Sequence, residues 1–279
     1  VSLEGSGEPG SKSLQPLPTV NSGPAASIMG TRVLSSNTGT ALSLDIGGTT
    51  TDFSLFIEGK PAFRPRGIEL AGAPTLIRGL YSTSAAAGGD SKIQVKDNQL
   101  QIGPRRAGPA AAAGGPYPTP TDALLVLGYI GENSVYGTAF SKEKAGQALT
   151  RLSREIETGS SVPGKENRLL SGKKGDSSPA EITAALILEK LLAILENKIN
   201  NIIEEINKRP VYTISALLTD KVLKPQKLIG MGGPASSLIP LLGESLNYET
   251  EVISYARVAN AVGAAVSRPT LETTVRVDT

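Results

Sequence analysis

The sequence predicts an α/β fold in which helices flank a mixed β-sheet. Two observations carry this prediction: a pair of apolar, alternating segments around a glycine turn near residue 47, and a strand, double glycine and helix near residue 232. A central insertion with helical apolar spacing separates the two regions. Alternating strands and helices are typical of a sheet that is covered by helices on its faces.

The composition fits a globular domain and excludes several kinds of chemistry. With 279 residues and 39% hydrophobic content, the chain is long enough for one large core or two subdomains. It has no cysteine and no histidine, which excludes disulfides, thiolate or histidine catalysis and the usual zinc sites within this sequence. Its 28 basic and 26 acidic residues nearly balance and aromatic residues make up only 4%, so we expect no nucleic-acid partner. No apolar run reaches the length of a membrane span and no signal pattern opens the sequence, so we expect a cytoplasmic protein without a membrane partner.

The segment at residues 41–57 reads ALSLDIGGTTTDFSLFI and predicts a β-hairpin, because apolar residues alternate on both sides of its turn. Gly47 and Gly48 lack a Cβ atom, so the turn can adopt positive φ and let a ligand approach the backbone amides. These amides and the hydroxyl groups of residues 49–51 suit phosphate oxygens, and Asp45 at the strand end suits a hydrated Mg²⁺ that bridges them. An ordinary hairpin with a capping aspartate is the simpler alternative. The whole string DIGGTTTD favours the anion site.

The string DIGGTTTD resembles the phosphate-binding hairpin of the actin-like ATPases, and it is most similar to that of the hydantoinase/oxoprolinase family. Further strings of the family occur in the family's order: NSGPAASIMG at 21–30, GGDSKI at 88–93, IGPRRAGP at 102–109, PTPTDALLVLG at 118–128 and GMGGPAS at 230–236. The resemblance covers most of the chain and implies a ribonuclease-H-like fold of the actin-like ATPase type. It also implies one domain, at residues 21–268, that binds ATP and Mg²⁺.

The resemblance implies an ATP-dependent hydrolase that activates a small cyclic amide or imide, such as a hydantoin or 5-oxoproline, by phosphorylating the amide oxygen. Asp45 is then the catalytic carboxylate that holds the metal. The nucleotide contacts are expected from two turns, the phosphate cradle at Gly47, Gly48, Thr49 and Thr50 and the adenosine-side turn at Gly232 and Gly233. Asp52 and Asp122 are further catalytic candidates, which position the metal or the attacking water.

The alternative interpretation is a nucleotide-binding or assembly domain that has no turnover of its own. Members of the family usually carry an earlier domain with another hairpin of this type, and no earlier copy occurs in this sequence. The chain also begins with Val1 rather than Met. We therefore expect a fragment of a longer polypeptide, whose N-terminal domain or a second subunit completes the nucleotide cleft.

The region before the first hairpin is predicted to contain one helix. Residues 1–20 are rich in Gly, Ser and Pro, which indicates an extended lead-in. A helix follows at 21–33, with Asn21 or Ser22 as its N-cap. Its small residues allow close packing against the sheet, and Ser22 and Gly23 are minor site candidates through the resemblance.

Short strands are predicted after the first hairpin. The pattern indicates an edge strand at 62–66, a strand followed by a helix within 68–81, and a second hairpin formed by 91–95 and 99–102. The GGDS string at 88–91 has two open interpretations. It either places a carboxylate near the substrate, as the resemblance implies, or forms a plain loop.

Residues 103–121 are rich in Gly, Ala and Pro, which predicts a mobile loop of the kind that serves as a lid or binding loop. Its arginine pair is expected either to be solvated or to contact a phosphate or carboxylate. Asp122 follows at the start of an apolar segment, which predicts an N-cap carboxylate. The family's matching TDA string implies instead that Asp122 lies at the active cleft, and both interpretations stay open here.

Two helices are predicted in the central insertion. The first, at 141–156, places apolar residues on one face, namely Ala145, Ala148, Leu149, Leu152 and Ile156. An exposed and mobile linker is expected at 157–178. The second helix begins with a capping box of Ser178 and Glu181 around a proline, and its apolar spacing indicates a helix that faces the core or another subunit.

The C-terminal part is predicted to return to the sheet. Residues 211–223 have no clear pattern. A buried strand is expected at 227–231 and a helix at 235–242, with the glycines between them close to a ligand and free amides at the helix start. A further strand at 251–254, a small-residue helix at 260–266 packed on the sheet, and a tail at 269–279 complete the prediction.

Overall fold

The computed structural model describes residues 22–64, 69–70, 73–74, 79–97, 99–132, 139–157, 169–170, 177–208 and 223–267. The predicted lead-in, the C-terminal tail, most of the predicted linker at 157–178 and nearly all of the segment at 211–223 lie outside these residues. Among the helices that are described, none combines the length and the apolar character that a bilayer crossing needs.

A mixed sheet of six strands forms the centre of the fold. The strands of the described residues are β1 (Ala41–Ile46), β2 (Thr51–Ile57), β3 (Lys60–Pro61), β4 (Glu69–Leu70), β5 (Ala73–Pro74), β6 (Ser82–Ala85), β7 (Ser91–Lys96), β8 (Gln99–Arg106), β9 (Lys227–Met231) and β10 (Glu249–Val252). The central sheet has the order β10, β9, β1, β2, β3, and β6 pairs with β2 beside β3. β1 is antiparallel to β2 and parallel to β9, so the first hairpin and the C-terminal strand are neighbours.

Helices cover both faces of this sheet. They are α1 (Ser22–Leu34), α2 (Pro120–Val126), α3 (Lys142–Glu157), α4 (Pro179–Lys208), α5 (Ala235–Leu246) and α6 (Ala259–Val266). Because successive strand residues point to opposite faces, the two sides of β1 enter two cores. Ala41 packs on the α1 side with Ile28 and Phe56. Leu42 and its neighbours on the other side pack in the larger core, to which α2, α3, α4 and α5 contribute.

The local predictions with strong periodicity are confirmed. The first hairpin has the predicted register, with Leu44 opposite Phe53, and the second hairpin forms between β7 and β8. The predicted apolar face of α3 is buried except for a half-buried Ile156. α4 begins with the predicted capping box, in which the amides of Ser178 and Glu181 each donate to the other residue's side chain. Its apolar residues face the protein core, because they are buried among the other helices.

Several predicted boundaries near the sheet edges are wrong. The strand expected at 62–66 is β3 at 60–61, followed by an isolated bridge between Phe63 and Leu80. The strand expected within 68–81 is the short β4 and β5 pair, and the helix expected after it falls largely outside the described residues. β10 begins and ends two residues earlier than predicted.

The last helix, α6, packs mainly on α1 rather than on the sheet as predicted. A Cβ atom on Gly263 would come within 1.9 Å of the carbonyl oxygen of Ala26, and one on Gly30 within 2.2 Å of that of Ala259. Glycines at these two positions allow the helix backbones to touch, so the small residues serve a contact between helices. α1 and α6 together border the C-terminal end of β1.

Residues 103–121 do not form the predicted mobile loop. β8 continues to Arg106, a 3₁₀ turn follows at Ala111–Ala113, and α2 begins at Pro120. Ala110, Ala111 and Ala112 are buried. The composition of the stretch is misleading because a buried carboxylate, that of Asp122, binds its backbone amides.

Candidate functional site

The turn between β1 and β2 presents backbone amides at the end of the sheet. The amide of Gly47 donates to the carbonyl of Thr50 at 2.9 Å and closes the turn. The amides of Gly48, Thr49 and Thr50 have no acceptor among the described residues. Gly48 and Thr49 are half-buried and Thr50 is exposed. Three successive donors are therefore free for an anionic ligand, which is the arrangement expected of a phosphate site.

The backbone of this turn differs from the prediction in one respect. Neither Gly47 nor Gly48 has a positive φ. Glycine is needed there for space, since a Cβ atom on residue 48 would come within 2.7 Å of Oδ2 of Asp90. The hydroxyl of Thr51 is also unavailable to a ligand, because it is buried and donates to the carbonyl of Ala87 at 2.8 Å.

A second glycine loop, the GGD loop at residues 88–90, is bound directly to the turn. The amide of Gly89 donates to the carbonyl of Gly47 at 2.9 Å, and that of Asp90 donates to the carbonyl of Gly48 at 2.6 Å. A Cβ atom on Gly88 would come within 2.5 Å of the Gly47 oxygen. These contacts fix the carbonyls of the turn on one side, so its free amides face the other.

The third glycine loop follows β9 and meets the same end of β1. Gly232 has φ +92°, and a Cβ atom there would come within 2.2 Å of the carbonyl oxygen of Ile46. Its amide donates to the carbonyl of Ala256 at 2.9 Å, whereas the Gly233 amide has no acceptor among the described residues. A Cβ atom on Gly89 would lie 2.9 Å from Pro234. The structure therefore brings the two predicted glycine turns together.

Asp45 lies at the centre of this arrangement. Its Oδ2 accepts hydrogen bonds from Ser27 Oγ at 2.6 Å and from Asn260 Nδ2 at 3.2 Å. Its Oδ1 has no donor among the described residues and faces Gly232, whose Cβ position is 3.0 Å away. Burial is the main cause that raises the pKa of Asp45, and the charge of Asp52 raises it further. The hydrogen bonds from Ser27 and Asn260 lower the pKa but do not offset this rise.

Asp52 is the cross-strand neighbour of Asp45 in the hairpin register. Directly opposed residues of an antiparallel pair have their side chains on the same face, so the two carboxylates lie on the α1 side of the sheet. Asp52 is half-buried and accepts a hydrogen bond from the hydroxyl of Ser84 on β6. The two predicted carboxylates of the hairpin are thus brought together at one edge of the site.

Asp122 has a different position, and it is not the predicted N-cap. Thr119 is the N-cap of α2, and Asp122 is the third residue of the helix, in a capping box with Thr119. Its carboxylate is completely buried and accepts from the amides of Ala111, Ala112 and Thr119 and from the Thr119 hydroxyl. Burial nevertheless raises its pKa. Its neighbour Thr121 donates its amide and its hydroxyl to Gly89, which connects α2 to the GGD loop.

The residues around Asp45 fit a hydrated Mg²⁺ better than a cation held by protein alone. No group of three or more acidic side chains that could hold a metal ion occurs in the described part of the chain. Mg²⁺ usually keeps several waters and takes one or two carboxylates together with phosphate oxygens. The unpaired Oδ1 of Asp45, beside free amides and a glycine that leaves room for a ligand, matches that donor set.

Two residues that contact Asp45, Ser27 and Asn260, are not predicted by the sequence analysis. Ser27 lies on α1 one turn after Gly23, to whose carbonyl its hydroxyl is 3.3 Å away. The predicted minor candidates Ser22 and Gly23 are exposed at the helix start instead. Asn260 comes from α6. A serine at helical spacing within the SGPAAS string was the available signal for Ser27, whereas the position of Asn260 depends on the packing of α6 on α1.

The chain is similar to known proteins in sequence and in fold. A family model for hydantoinase/oxoprolinase matches residues 7–273. The gamma subunit of acetophenone carboxylase from Aromatoleum aromaticum is 32% identical over 143 residues, which are 47% of this chain and 19% of that protein. The chain thus spans about a fifth of that relative's length.

Two solved structures have a similar fold. A nucleotide-free structure of acetone carboxylase, from work on ATP-dependent acetone carboxylation, has a TM-score of 0.66 at 19% identity and covers 88% of this chain. The ATP-dependent caprolactamase from Pseudomonas jessenii has a TM-score of 0.60 at 20% identity and covers 87%. The chain spans 32% and 31% of these two proteins. The likeness confirms the predicted α/β fold, with a mixed sheet and flanking helices.

Proposed function

Because the chain belongs to the hydantoinase/oxoprolinase family, we propose that it is the nucleotide-binding domain of an ATP-dependent enzyme that activates a carbonyl oxygen by phosphorylation. The observation that carries the proposal is the meeting of the free amides of Gly48, Thr49 and Thr50 with the Gly232 turn beside Asp45 Oδ1. Such a site can hold a polyphosphate and a cation without histidine or cysteine.

The substrate class that we propose first is a small cyclic amide of the hydantoin or 5-oxoproline type. The amide oxygen attacks the γ-phosphorus, and the bond between that phosphorus and ADP breaks. Water then adds to the activated carbon, and the carbon–nitrogen bond opens, with the nitrogen taking a proton from that water. The acyl phosphate that remains is hydrolysed by a second water. The caprolactamase named above is an ATP-dependent enzyme named for a cyclic amide, which supports this class.

A ketone is the second substrate class, because the 32% identical relative is a subunit of a carboxylase named for acetophenone. The enolate oxygen of a ketone would take the place of the amide oxygen in the first step. The two classes share phosphoryl transfer to oxygen and differ in what reacts with the activated carbon. The site described here supplies the shared step, and the substrate-binding groups are expected to decide between them.

The residues of the site have distinct proposed roles. The amides of residues 48–50 bind the β- and γ-phosphates, and the turn at Gly232 and Gly233 lies against the adenosine. Asp45 would hold a hydrated Mg²⁺ through Oδ1, since Ser27 and Asn260 fix its Oδ2, and Asp52 would serve as a second carboxylate for the metal or water. Bound Mg²⁺ would neutralise charge on the transferring phosphoryl group.

The raised pKa of Asp45 is consistent with a metal-binding role. A carboxylate that is buried beside a second acid is unfavourable in its charged form, so it gains stability when a cation arrives. Asp122 receives a positioning role in this proposal, because its oxygens already accept four hydrogen bonds. It holds residues 111–112 and α2 in place behind the GGD loop.

A nucleotide-binding or assembly domain without turnover is the alternative function. It is favoured by one observation, that the 32% identical relative is named as one subunit of a carboxylase. The relative named as a gamma subunit supports the expectation that a further domain or a partner subunit completes the cleft.

Isothermal titration calorimetry with the full-length polypeptide tests the proposal. We expect MgATP to bind with a Kd in the micromolar range, which corresponds to a binding free energy on the order of −8 kcal/mol. The affinity is expected to fall strongly when EDTA removes the metal. AMP serves as the control ligand, because it lacks the β- and γ-phosphates that the turn is proposed to bind. Equal affinities for AMP and MgATP would exclude the phosphate role of the turn.

The two functions are separated by turnover. ADP release is measured with hydantoins, 5-oxoproline, lactams and small ketones, with and without the proteins that co-purify with the full-length polypeptide. Stimulation by any of these substrates supports the enzyme. Nucleotide binding without stimulated ADP release under every condition would support the assembly domain instead.

A further inference from the structure

Three loops follow parallel strands at one edge of the central sheet, and the proposed function gives a ligand contact to only two of them. β1, β9 and β10 are parallel neighbours in that order. The carboxyl ends of parallel strands lie at the same edge of a sheet, where open α/β sheets bind their ligands. The phosphate turn at 47–50 follows β1 and the Gly232 turn follows β9. The loop at 253–258, which follows β10, is the third.

The order of these loops predicts the order of the nucleotide groups above them. Neighbouring strands lie about 4.8 Å apart, so the ends of β1 and β10 are separated by about 10 Å. A nucleotide whose phosphates lie on the turn after β1, and whose adenosine begins at the Gly232 turn, extends towards β10. The loop at 253–258 is therefore the next surface that its base reaches.

The loop at 253–258 is connected to the proposed site by hydrogen bonds. The amide of Gly232 donates to the carbonyl of Ala256 at 2.9 Å. Four residues after Ala256, the side chain of Asn260 donates to Asp45. The chain after β10 thus passes directly beside the Gly232 turn and then reaches the proposed metal carboxylate, so a nucleotide on that turn lies next to this loop.

This part of the chain exposes a cluster of apolar side chains. Tyr255 is 74% exposed, Val258 is 52% exposed, and Val252 at the end of β10 is 38% exposed. The side chain of Tyr255 forms no hydrogen bond and no ring contact with another described residue. Clustered apolar residues on a surface mark binding sites more often than single ones do. A flat ring without a partner suits a flat ligand.

Tyr255 is also held in an unusual backbone conformation. Its φ is +57°, in the left-handed region that bulky residues rarely adopt. The hydrogen bond from Gly232 to Ala256 fixes the loop, and so does a second one from the Val258 amide to the Tyr255 carbonyl at 2.9 Å. Gly or Asn is the usual residue at such a position. Strained residues of this kind concentrate at ligand sites, where neighbouring contacts hold them in place.

We propose that the loop at 253–258 binds the base of the nucleotide and that the ring of Tyr255 stacks on it. The inference rests on the proposed function, because it assigns the base contact of the same site. Aromatic side chains bind nucleobases by stacking, since every base has a flat π-face. Val258 adds apolar surface beside the ring. Because stacking tolerates different bases, Tyr255 contributes affinity for a nucleotide rather than selectivity for adenine.

The test compares MgATP with magnesium tripolyphosphate, which keeps the three phosphates and lacks the base. Tyr255→Asn removes the ring, and Asn tolerates the left-handed conformation. In isothermal titration calorimetry of the full-length polypeptide, we expect this variant to bind MgATP about 10- to 100-fold more weakly than wild type. Its affinity for magnesium tripolyphosphate should stay within about twofold of wild type, because no base is lost. Tyr255→Phe keeps the ring and should bind MgATP within about threefold of wild type.

Tyr117→Asn is the matched control. Tyr117 is 42% exposed, and the Nζ atom of Lys92 lies 4.0 Å from the centre of its ring. Lys92 belongs to β7, which is not part of the central sheet. The same substitution at this second exposed tyrosine is expected to change the affinity for neither ligand.

The outcomes separate this inference from the proposed function. Wild-type protein that binds neither MgATP nor magnesium tripolyphosphate overturns both. Wild-type binding of MgATP, with Tyr255→Asn behaving like Tyr117→Asn, overturns the role of Tyr255 and leaves the proposed function in place. An equal loss of affinity for both ligands in Tyr255→Asn also overturns that role, because tripolyphosphate has no base to stack.

Photoaffinity labelling of the wild-type protein with 8-azido-ATP decides the question if Tyr255→Asn does not fold or if tripolyphosphate binding is too weak to measure. The azide is attached to the base, so we expect the label within residues 252–258 and protection by excess MgATP. A protected label that is confined to other segments overturns the inference.

Discussion

Replacing Asp45 by Asn is expected to lower ATP turnover of the full-length polypeptide by about 10³-fold without loss of fold stability. Asn keeps an oxygen that accepts from Ser27 and Asn260, so the local hydrogen bonds survive. What disappears is the negative charge on the oxygen that faces Gly232, and with it the proposed ligand of Mg²⁺. The measurement is the rate of ADP release at saturating MgATP, together with the Tm.

The stability of the Asp45→Asn variant follows from the raised pKa of Asp45. A carboxyl whose pKa is higher in the folded state contributes stability below its unfolded pKa and loses that contribution as the pH rises through the folded value. At neutral pH the charged Asp45 therefore does not stabilise the fold, and the neutral Asn is expected to leave the Tm unchanged or higher. A loss of activity with a retained Tm distinguishes a functional carboxylate from a structural one.

Asp97→Asn is the control for this change. Asp97 is exposed in the turn between β7 and β8, with φ +51°, a conformation that Asn tolerates well. The same substitution there is expected to change neither turnover nor Tm. Turnover of Asp45→Asn within about threefold of wild type, at full metal saturation, would contradict the proposed metal role.

Replacing Asp122 by Ala is expected to destabilise the fold by about 3–5 kcal/mol, because three buried amides and one hydroxyl lose their acceptor. Since 1 kcal/mol shifts the Tm of a domain of this size by roughly 2–4 °C, the Tm should fall by about 10 °C. The carboxylate connects the 3₁₀ turn at Ala111–Ala113 with the start of α2, so we expect both segments to loosen. Thermal unfolding and amide hydrogen exchange of Ala111 and Ala112 measure the effect.

Asp122→Asn separates the positioning role from a catalytic one. One oxygen remains as an acceptor and the new NH₂ group faces an amide donor, so the cost should be smaller, about 1–3 kcal/mol. The folded variant is expected to keep turnover within about threefold of wild type. A loss of turnover as large as that of Asp45→Asn, with the Tm intact, would instead support the catalytic role that the family resemblance implies for Asp122.

The elements that the sequence predicts best are those specified by their own residues. Alternating apolar residues on both sides of a glycine turn determine the β1–β2 hairpin, and the capping box at Ser178 determines the start of α4. The contact between the turn and Gly232 is predicted only through the family resemblance, because no local pattern pairs β1 with a strand so distant in the chain. The parallel register of β1 and β9 accounts for it.

The remaining features depend on tertiary contacts that leave little trace in a single sequence. Residues 103–121 have the composition of a mobile loop, yet Asp122 holds part of this stretch as buried backbone. Positive φ occurs at Gly232 rather than at Gly47 or Gly48. The glycine at 48 is explained instead by the close approach of Asp90, which leaves no room for a Cβ atom. The contact of Asn260 with Asp45 requires α6 to lie on α1, which is not visible before the helices are packed.

The structure of the full-length polypeptide with Mg²⁺ and a non-hydrolysable ATP analogue tests the central claim most directly. The account predicts phosphate oxygens at about 2.7–3.2 Å from the amide nitrogens of Gly48, Thr49 and Thr50, with the adenosine on the Gly232 side and Mg²⁺ towards Asp45. Phosphates bound at another part of the protein, with these three amides still facing solvent, would contradict it.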